Sequence, residues 1–436
     1  MQAYRVSSGA GYWLLLAATK DKRPPRPLPA ALAVTFAAST LPTVRRSFIF
    51  KITLLTLGWL LLAIACEQVP VGTFWPAQFG ALSIPVALVG TALLALYWLR
   101  RNRRVALLPV LALALTWPHV QRGFALHLPH TTASKVTQTD AGSGKTLRSS
   151  FFLPQPAEVA LLSANVHIFN LYPQLRDSNS TSSRGFINWL RTSPADVLCL
   201  QEYYNEPHGS KGDGDLFRTA DQLGPRSGRQ AFISTSLINF IGAEFGMAIF
   251  SRFPIVRHGS IAFGRLTQNH AMWADVVRPA ARSGRGRADT IRVFNVHFQS
   301  MNMADADLAT ATESRAGLRQ KAPNLLRRFR KGALARGAQV DTVLARVVRS
   351  PYPVLLAGDT NDLPYSYTYD QLASHLQNAW ASVGLGIGAT YNGRLPGLRI
   401  DQQFASPQWE VRGCRVHQEL KWSDHFPVEG LYRLSR

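Results

Sequence analysis

The chain has 436 residues and a formal net charge of +22, from 48 Lys and Arg against 26 Asp and Glu. Its length allows two or three domains, and 22 Phe, 12 Tyr and 10 Trp exclude a chain that is disordered throughout. Cys66, Cys199 and Cys414 lie far apart with no CxxC pair, which argues against a disulfide framework and against a cysteine zinc site.

The positive charge is concentrated in the first third of the chain. Residues 1–150 carry 16 Lys and Arg but only three acidic residues, whereas the rest of the chain carries 32 basic and 23 acidic residues. The long apolar runs lie in the same basic region. This combination favours membrane segments with basic flanks over a nucleic-acid-binding arm.

Three apolar stretches predict a membrane region over residues 45–128 with two to three transmembrane helices. Ser47–Cys66 and Phe74–Leu99 are long enough to span a bilayer, which takes about 20 apolar residues. Val105–Val120 is shorter and contains two prolines, so it is a borderline span. The alternative is that these stretches form buried helices of a soluble domain.

The basic residues beside these stretches predict an orientation. Arg45 and Arg46 precede the first stretch, and Arg100, Arg101, Arg103 and Arg104 fill the turn between the second and the third. Because positive residues stay on the cytoplasmic side, the arginine turn is expected there. If the third stretch spans, the remainder of this multi-pass inner or plasma membrane protein is extracytoplasmic. If it does not, the remainder returns to the cytoplasm.

The segments on either side of the membrane region give no indication of function in their sequence. Residues 1–44 are an N-terminal tail of uncertain role, and residues 129–155, rich in Thr, Ser and Gly, are predicted to be a flexible linker. Gly144-Lys145-Thr146 resembles the end of a phosphate-binding loop. The glycine which that motif needs five residues earlier is Thr139, so the motif is excluded.

Short apolar runs between turn residues predict a strand-rich domain over residues 156–436. The predicted strands are Val159–Phe169, Asp196–Leu200, Gly246–Phe250, Met272–Val277, Ile291–Phe298, Val354–Ala357 and Ile400–Phe404. Helices are predicted at Arg184–Arg191 and over the basic segment Asn324–Arg349. Because the strands seldom alternate with long helices, mixed sheets are favoured over a doubly wound parallel sheet.

Polar side chains recur at the ends of these strands. They are Asn165, Gln201 with Glu202, His297, Asp359 with Asn361 and Asp362, Asp401, and Asp424 with His425. A single Asn or His beside a strand is usually structural, but six such positions in one domain indicate a shared site. Carboxylate and amide oxygens suit Mg²⁺ or Mn²⁺, and a histidine beside an acid supplies a proton or a charge near neutral pH. These are the requirements for hydrolysing a phosphodiester.

The same segments form an ordered series of motifs. They are Ser163-Ala-Asn165, Gln201-Glu202, Gly246-Met-Ala-Ile-Phe-Ser-Arg-Phe-Pro254, Asn295-Val-His297, Gly358-Asp359-Thr-Asn361-Asp-Leu-Pro364, Arg399-Ile-Asp401 and Ser423-Asp424-His425-Phe-Pro-Val428. Over residues 156–434 this series resembles the endonuclease/exonuclease/phosphatase superfamily, which includes DNase I-like nucleases, abasic-site endonucleases, inositol polyphosphate phosphatases and neutral sphingomyelinases. The N-terminal spans are similar to a bacterial membrane-bound branch of that superfamily.

The resemblance implies a four-layer α/β sandwich, in which two mixed β-sheets face each other with helices outside, and a role for each motif residue. Glu202 would be the principal ligand of Mg²⁺ or Mn²⁺, with Asn165 beside it and Asp424 on the same side. Asp359 would position or deprotonate the attacking water, which Asn361 would hold. His425, oriented by Asp401, would stabilise the transition state, and His297 would contact the phosphate or act as an acid.

Other positions carry weaker implications. Arg252, inside the Gly246–Pro254 motif, and Tyr365, after the Asp-Thr-Asn loop, are predicted to contact the substrate. Gln402 and Gln403 follow Asp401 where the family more often has an aromatic residue or histidine, a departure that concerns packing more than chemistry.

The substrate stays open between several classes. A nuclease-like phosphodiesterase is favoured, and hydrolysis of phospholipid or inositol-phosphate headgroups, sphingomyelinase-like or related to GPI lipids, is the alternative. The basic segment Leu325–Arg336 is compatible with a nucleic-acid backbone, with anionic lipid headgroups, or with a solvated helix face. A non-enzymatic, membrane-anchored binding protein is the third possibility, which the complete residue set argues against. Protein partners are not predicted.

Overall fold

A computed structural model describes residues 48–128, 133–139, 146–172, 181–209, 214–264, 269–283, 286–301, 315–393 and 395–435. The N-terminal tail 1–44, Arg45 and Arg46 lie outside these residues. Residues Ile52–Arg436 form one compact unit.

The predicted membrane region is helical. Its helices are α1 (Phe48–Glu67), α2 (Val71–Phe74), α3 (Ala77–Leu82), α4 (Ile84–Arg101), α5 (Arg103–Leu115) and α6 (Trp117–Gly123). Two segments, Phe48–Glu67 and Ala77–Arg101, are long and apolar enough to cross a membrane. The borderline third stretch is divided at Thr116 into the shorter helices α5 and α6.

Large apolar side chains on these helices face outward. Leu55 and Leu62 on α1, Leu93 on α4 and Leu107 on α5 are each more than 60% exposed. Burying the apolar faces of helices is what normally stabilises them in a water-soluble domain. A continuous exposed apolar surface of this kind is typical of a contact with lipid or with another protein.

Side-chain contacts define how the helices run. The Trp98 indole near the end of α4 donates to the Thr53 hydroxyl near the start of α1, at 2.9 Å. Asn102 alone joins α4 to α5 and caps α5 by accepting from the backbone N–H groups of Arg104 and Val105. The arginine turn therefore lies at the end of the bundle where α1 starts. Glu67, the last residue of α1, lies at the other end.

The C-terminal domain contains two six-stranded mixed sheets. The chain forms β1 (Ala125–Leu126), β2 (Ser134–Thr139), β3 (Thr146–Phe151), β4 (Glu158–Asn165), β5 (Val197–Asn205), β6 (Gln230–Ile238), β7 (Glu244–Ser251), β8 (Ile255–Ala262), β9 (His270–Arg278), β10 (Asp289–His297), β11 (Val354–Asp359), β12 (Gln377–Asn378), β13 (Leu385–Gly386), β14 (Asp401–Ala405), β15 (Trp409–Val416) and β16 (Val428–Leu434). The strand orders are β15-β16-β4-β5-β7-β6 and β12-β14-β11-β10-β9-β8. The pairs β4–β5 and β10–β11 are parallel.

Helices cover the outer faces of the sheets. They are α7 (Thr181–Thr192), α8 (Thr219–Leu223), α9 (Ala280–Ser283), α10 (Arg315–Val348), α11 (Tyr367–Ala373) and α12 (Ala379–Val383). Alternate residues of β4 explain its unbroken apolar run: Val159 and Leu161 pack between the two sheets, whereas Ala160 and Leu162 pack under α7. A third cluster joins α10 to the second sheet. The predicted four-layer α/β sandwich is confirmed.

The expected flexible linker is corrected by its described part. Strands β2 and β3 pair as an antiparallel hairpin. Phe151 at the end of β3 is fully buried, with its ring centroid 5.0 Å from that of Trp189 on α7. The Thr- and Ser-rich composition that resembles a linker therefore belongs to strands that are part of the sandwich.

The N-terminal helices pack directly on the sandwich. The Arg122 guanidinium on α6 bridges Glu67 at the end of α1, at 2.5 Å, and Asp370 on α11, at 3.2 Å. The Phe79 ring on α3 stacks on Phe329 of α10 with centroids 4.5 Å apart. These contacts join the bundle to the sandwich without a flexible spacer.

The burial of Phe151 gives a test of this arrangement. Phe151→Ala should lower the free energy of unfolding by about 3–5 kcal/mol, because it removes a fully buried ring from the core. Thermal unfolding of the full chain in detergent, followed by tryptophan fluorescence, measures the change. Phe240→Ala, at a side chain that is 99% exposed, is the matched control. Equal transitions for both variants would show that the β2–β3 hairpin is not part of the core.

Candidate active site

The predicted site residues converge because strand ends from both sheets meet at one edge. Asn165 ends β4 beside Gln201, the residue before Glu202. His297 ends β10 opposite Asp359, which ends the parallel strand β11. Asp401 begins the antiparallel strand β14 and is also opposite Asp359. Positions far apart in sequence therefore share one end of the sandwich.

The Asp359 carboxylate lies at the centre of the cluster. Its Oδ2 accepts from the side-chain amides of Asn165, at 3.2 Å, and Asn361, at 3.1 Å. The Nε2 atoms of His297 and His425 lie 3.7 and 3.9 Å from the same oxygen. Its other oxygen accepts from the Asn361 backbone N–H at 2.8 Å. A carboxylate that is only 1% exposed is thus surrounded by donors.

Unusual backbone conformations place two of these side chains. Glu202 has φ +49° and Asn361 has φ +51°, both in the left-handed region. Glu202 lies in an irregularity of the β5–β7 pairing between Leu200 and Tyr203. Such a bulge redirects a side chain at a strand end. Gly358 has φ +142°, and a Cβ there would lie 2.0 Å from the Val296 carbonyl oxygen, so only glycine fits before Asp359.

His425 and Asp401 form a buried pair. The His425 Nδ1 lies 2.8 Å from the Asp401 carboxylate, so its Nε2 is directed toward Asp359. The Thr390 hydroxyl accepts from the Asp401 backbone N–H at 3.0 Å, and the Ser423 hydroxyl accepts from the His425 backbone N–H at 3.1 Å. The Tyr391 ring packs edge-on against the imidazole. These contacts fix the orientation of the imidazole.

The electrostatics of the cluster shift both central groups. Burial raises the pKa of Asp359 to about 6, and the negative charge of Asp401 adds to the increase while His425 opposes it. Burial alone would lower the pKa of His425, but the carboxylates of Asp401 and Asp359 raise it well above its usual value. At neutral pH the site therefore holds an ionised Asp359 beside a protonated His425.

The donor set of the cluster fits a hard divalent cation. Oxygen ligands without thiolates suit Mg²⁺ or Mn²⁺. Ligand atoms of Asp359, Asp401 and His425 lie within 4.8 Å of one another, but His425 and Asp401 are already paired. Glu202, one-third exposed, remains accessible to an ion. Asn165 donates its amide to Glu202 at 3.1 Å and accepts from the His167 backbone, so in this geometry it orients the carboxylates.

Asp424 lies at the rim of the cluster. Its side chain is 43% exposed, and its Oδ1 lies 3.7 Å from the His167 Nδ1 and 3.2 Å from the Ser423 hydroxyl. The Ser423 hydroxyl also donates to the Asn165 carbonyl at 2.9 Å. The Ser-Asp-His segment is therefore joined to the end of β4.

Arg252 and Tyr365, the expected substrate contacts, are hydrogen-bonded to backbone carbonyls elsewhere in the structure. The Arg252 side chain donates to the carbonyls of Ser193 and Ala195, which precede β5. Glu202 is five residues along that strand, roughly 17 Å away. The Tyr365 hydroxyl donates to the His119 carbonyl at 2.9 Å, and its ring packs among α1 and α4. The Arg252 side chain therefore contacts the segment before β5, and Tyr365 belongs to the contact with the N-terminal helices.

Several supporting residues were not predicted from the sequence. His167, Thr390 and Ser423 contact the site, yet each is a common residue type in an irregular segment. Gln403 donates across the sandwich to the Leu161 and Val428 carbonyls, at 3.3 and 2.8 Å. Gln403 therefore joins the two sheets, which is a packing role, whereas Gln402, directly after Asp401, donates to the Arg399 carbonyl at 2.9 Å.

Comparisons with known proteins agree with this architecture. The profile of the Endonuclease/Exonuclease/phosphatase family matches residues 162–425, and that of a domain of unknown function (DUF8431) matches residues 46–123. The chain therefore belongs to the endonuclease/exonuclease/phosphatase family, whose enzymes are hydrolases acting on phosphoester bonds. Comparison with curated protein sequences gives no match.

Solved structures with a similar fold come from several organisms. An endonuclease/exonuclease/phosphatase from Beutenbergia cavernae is 22% identical, with 64% of this chain and 72% of that chain covered and a TM-score of 0.45. The human Nocturnin catalytic domain with bound sulfate is 18% identical, with 65% and 96% covered and a TM-score of 0.44. A mannosyl-6-phosphatase from Bacteroides thetaiotaomicron is 15% identical, with 63% and 99% covered and a TM-score of 0.39.

The buried pair gives a prediction with a defined pH signature. Asp401→Asn should reduce the hydrolysis of bis-p-nitrophenyl phosphate about a hundredfold or more. Because Asp401 raises the pKa of His425, its loss lowers that pKa, and the high-pH limb of the rate profile should move to lower pH. The rate is measured across pH beside Asp215→Asn, a control in an exposed carboxylate. If Asp401→Asn loses activity while the high-pH limb of its rate profile stays at the wild-type position, the electrostatic effect of Asp401 on His425 is contradicted.

Proposed function

We propose that this chain is a membrane-anchored, divalent-cation-dependent hydrolase of phosphodiester bonds. The observation that carries the proposal is the buried Asp359 carboxylate, which four nitrogen donors face from separate strands and loops. The family supports hydrolysis of a phosphoester bond. The arrangement of the side chains supports hydrolysis of a phosphodiester in particular. One carboxylate can accept a proton from water, and two imidazoles and two amides can stabilise the negative charge on the phosphate and on the leaving oxygen.

The residues divide the reaction between them. Asp359 accepts a proton from the attacking water, and its raised pKa makes it a better base near neutrality than an exposed aspartate. Asn361 holds that water and a phosphate oxygen. The protonated His425 donates to a phosphate oxygen on which charge develops, and Asp401 keeps the imidazole oriented. The water oxygen bonds to phosphorus as the ester P–O bond breaks, and His297 or solvent protonates the leaving oxygen.

Glu202 is the side chain that would hold the cation, with Asn165 orienting its carboxylate. When bound there, Mg²⁺ or Mn²⁺ would neutralise the phosphate oxygens and the leaving oxygen. Asp424 at the rim is the remaining candidate ligand from the sequence.

Two substrate classes are candidates for this site. A nuclease-like activity stays the first expectation from the motifs. The second candidate, a lipid headgroup phosphodiester, is favoured by one contact: Arg330 of the basic helix α10 lies over the ring of Trp75, between the candidate spans, at 5.9 Å. Basic residues beside a bilayer attract anionic headgroups. Arg336 of the same helix instead is buried and pairs with Asp362 at 2.9 Å.

Activity and metal dependence are tested together. The full chain in detergent should hydrolyse bis-p-nitrophenyl phosphate with Mg²⁺ or Mn²⁺ and lose this activity with EDTA. Glu202→Gln should raise the cation concentration for half-maximal rate by about tenfold or more, because a ligand has lost its charge. Glu410→Gln, at an exposed position, is the control.

Two further arms separate the substrates: plasmid DNA, and vesicles of phospholipid with headgroup release measured. Identical metal titrations for Glu202→Gln and the wild type would remove Glu202 as a ligand. Binding without turnover of any phosphoester would support the non-enzymatic alternative and contradict the proposal.

The anchoring proposal predicts an orientation. The arginine turn and the sandwich lie at opposite ends of the helical bundle, since Thr53 contacts Trp98 at one end and Glu67 contacts Arg122 at the other. With the turn cytoplasmic, the sandwich is extracytoplasmic. A membrane-impermeant maleimide on intact cells should label Gln408→Cys and not Arg101→Cys, with the wild type as background. The reverse pattern would contradict this orientation.

A further inference from the structure

An apolar cavity lies between the membrane helices and the sandwich. Its volume is about 620 Å³, within the range of about 300–1,000 Å³ that is typical of ligand sites. Leu88, Val89 and Ala92 of α4 line one side, and Leu363, Tyr365 and Leu398 line the other. This site is separate from the Asp359 cluster described above.

The cavity opens toward the apolar outer surface of the bundle. Val89 on α4 and Trp117 on α6 both line it and are 60% and 46% exposed. On the same helices, Leu93 and Leu96 are exposed apolar residues that do not line the cavity. If these helices span the membrane as proposed, the mouth of the cavity faces hydrocarbon rather than water.

One charged residue lines this apolar cavity among the lining residues that the structure describes. Arg399 is 3% exposed, and its terminal nitrogens donate to the backbone carbonyls of Ile387 and Arg122. Its Nε has no hydrogen-bond partner among the described residues, its guanidinium lies over the Trp380 ring at 5.8 Å, and it takes part in none of the ion pairs of the described residues. Burial lowers the pKa of Arg399. A buried guanidinium with an unsatisfied N–H and no anion nearby is energetically costly unless a ligand supplies the anion.

We propose that this cavity binds an acyl chain of an anionic phospholipid, with the phosphate of its headgroup at the Arg399 guanidinium. The inference rests on the proposed membrane anchoring, and it is independent of which phosphodiester the enzyme hydrolyses. The apolar lining matches a hydrocarbon chain, and Arg399 supplies a basic group from the sandwich side of the cavity. Arginine is suited to phosphate because its N–H donors are fixed in a plane.

The position of the cavity gives the bound lipid access to two loops of the active site. Leu363 and Tyr365 follow Asn361 in the chain, and Leu398 and Arg399 directly precede Asp401. An occupant of the cavity would therefore contact the continuations of both loops. The lipid would act as a structural ligand that joins the membrane to the catalytic end of the sandwich.

The test uses the full chain in phosphatidylcholine nanodiscs that contain phosphatidylglycerol with a diazirine in its acyl chain. After irradiation, labelled peptides are located by mass spectrometry. We expect label on Leu88–Ala92 and on Leu363–Tyr365. Ala92→Trp fills the cavity and should reduce the label on Leu363–Tyr365 about tenfold, since steric exclusion removes the apolar contact. Leu93→Trp, one residue away on the exposed face, should leave that label unchanged.

A second arm tests the headgroup contact. Arg399→Gln should reduce labelling by the phosphatidylglycerol probe about tenfold, because a charge-assisted hydrogen bond is lost. Labelling by diacylglycerol with the same chain, which has no phosphate, should not change. Thermal unfolding of each variant verifies that it is folded, and Ala92→Trp supplies the test if Arg399→Gln does not fold.

Label confined to outward positions such as Leu93 in the wild type would overturn the proposal, as would equal labelling of the wild type and Ala92→Trp. Equal loss of both probes in folded Arg399→Gln would overturn the headgroup assignment. The rate on bis-p-nitrophenyl phosphate is recorded for the same samples. A labelled cavity in a chain without hydrolytic activity would refute the proposed function and leave the lipid site standing.

Discussion

The burial of one carboxylate, Asp359, is the constraint on which the rest of the site depends. An ionised group that has lost nearly all contact with water must find its stabilisation in fixed donors. Here those donors come from four parts of the chain: Asn165, Asn361, His297 and His425. These donors can be held in place only if the ends of the parallel pairs β4–β5 and β10–β11 lie at one edge of the sandwich. Packing two mixed sheets face to face brings these ends together. The local backbone strain at Glu202 and Asn361 is a consequence of the same requirement.

The sequence predicted those parts of the fold in which a local pattern and a buried position coincide. The predicted strands were all inner ones with buried residues in near-continuous apolar runs, such as β4 and β11. The inner strand β16 was missed because Glu429, Gly430 and Arg433 interrupt its apolar run. The strands β6 and β8 were not predicted, because they are at sheet edges and largely exposed, so their sequences lack such runs. The hairpin β2–β3 was mistaken for a linker for a related reason, since its stability comes from where Phe151 packs and not from its Thr and Ser content.

The residues of the candidate site also fall into those that the sequence predicted and those that it did not. Short motifs predicted which residues end the strands, and the register pairs then brought Asp359 opposite both His297 and Asp401. Arg252 and Tyr365 were assigned to the site because they are near those motifs in the sequence. Nearness in sequence does not determine the direction in which a side chain points. Arg252 follows an antiparallel strand and so lies at its far end, and Tyr365 turns away to meet His119. The supporting hydroxyls of Thr390 and Ser423 depend on loop conformations that no local pattern specifies.

The contact between the helical bundle and the sandwich has the energetics of a domain interior rather than of a tether. Glu67 is 1% exposed at the end of the first candidate span, and Arg122 joins it to Asp370 of the sandwich. Separating the two parts would break the contact between Arg122 and Asp370, while Arg122 would keep its pair with Glu67 inside the bundle. The same short segment, Asp359 to Asp370, carries the central carboxylate of the candidate site at its start and the contact with Arg122 at its end. The position of the candidate site relative to the bundle is therefore set by the fold itself, so the bundle has to be regarded as part of the folded unit that holds the site.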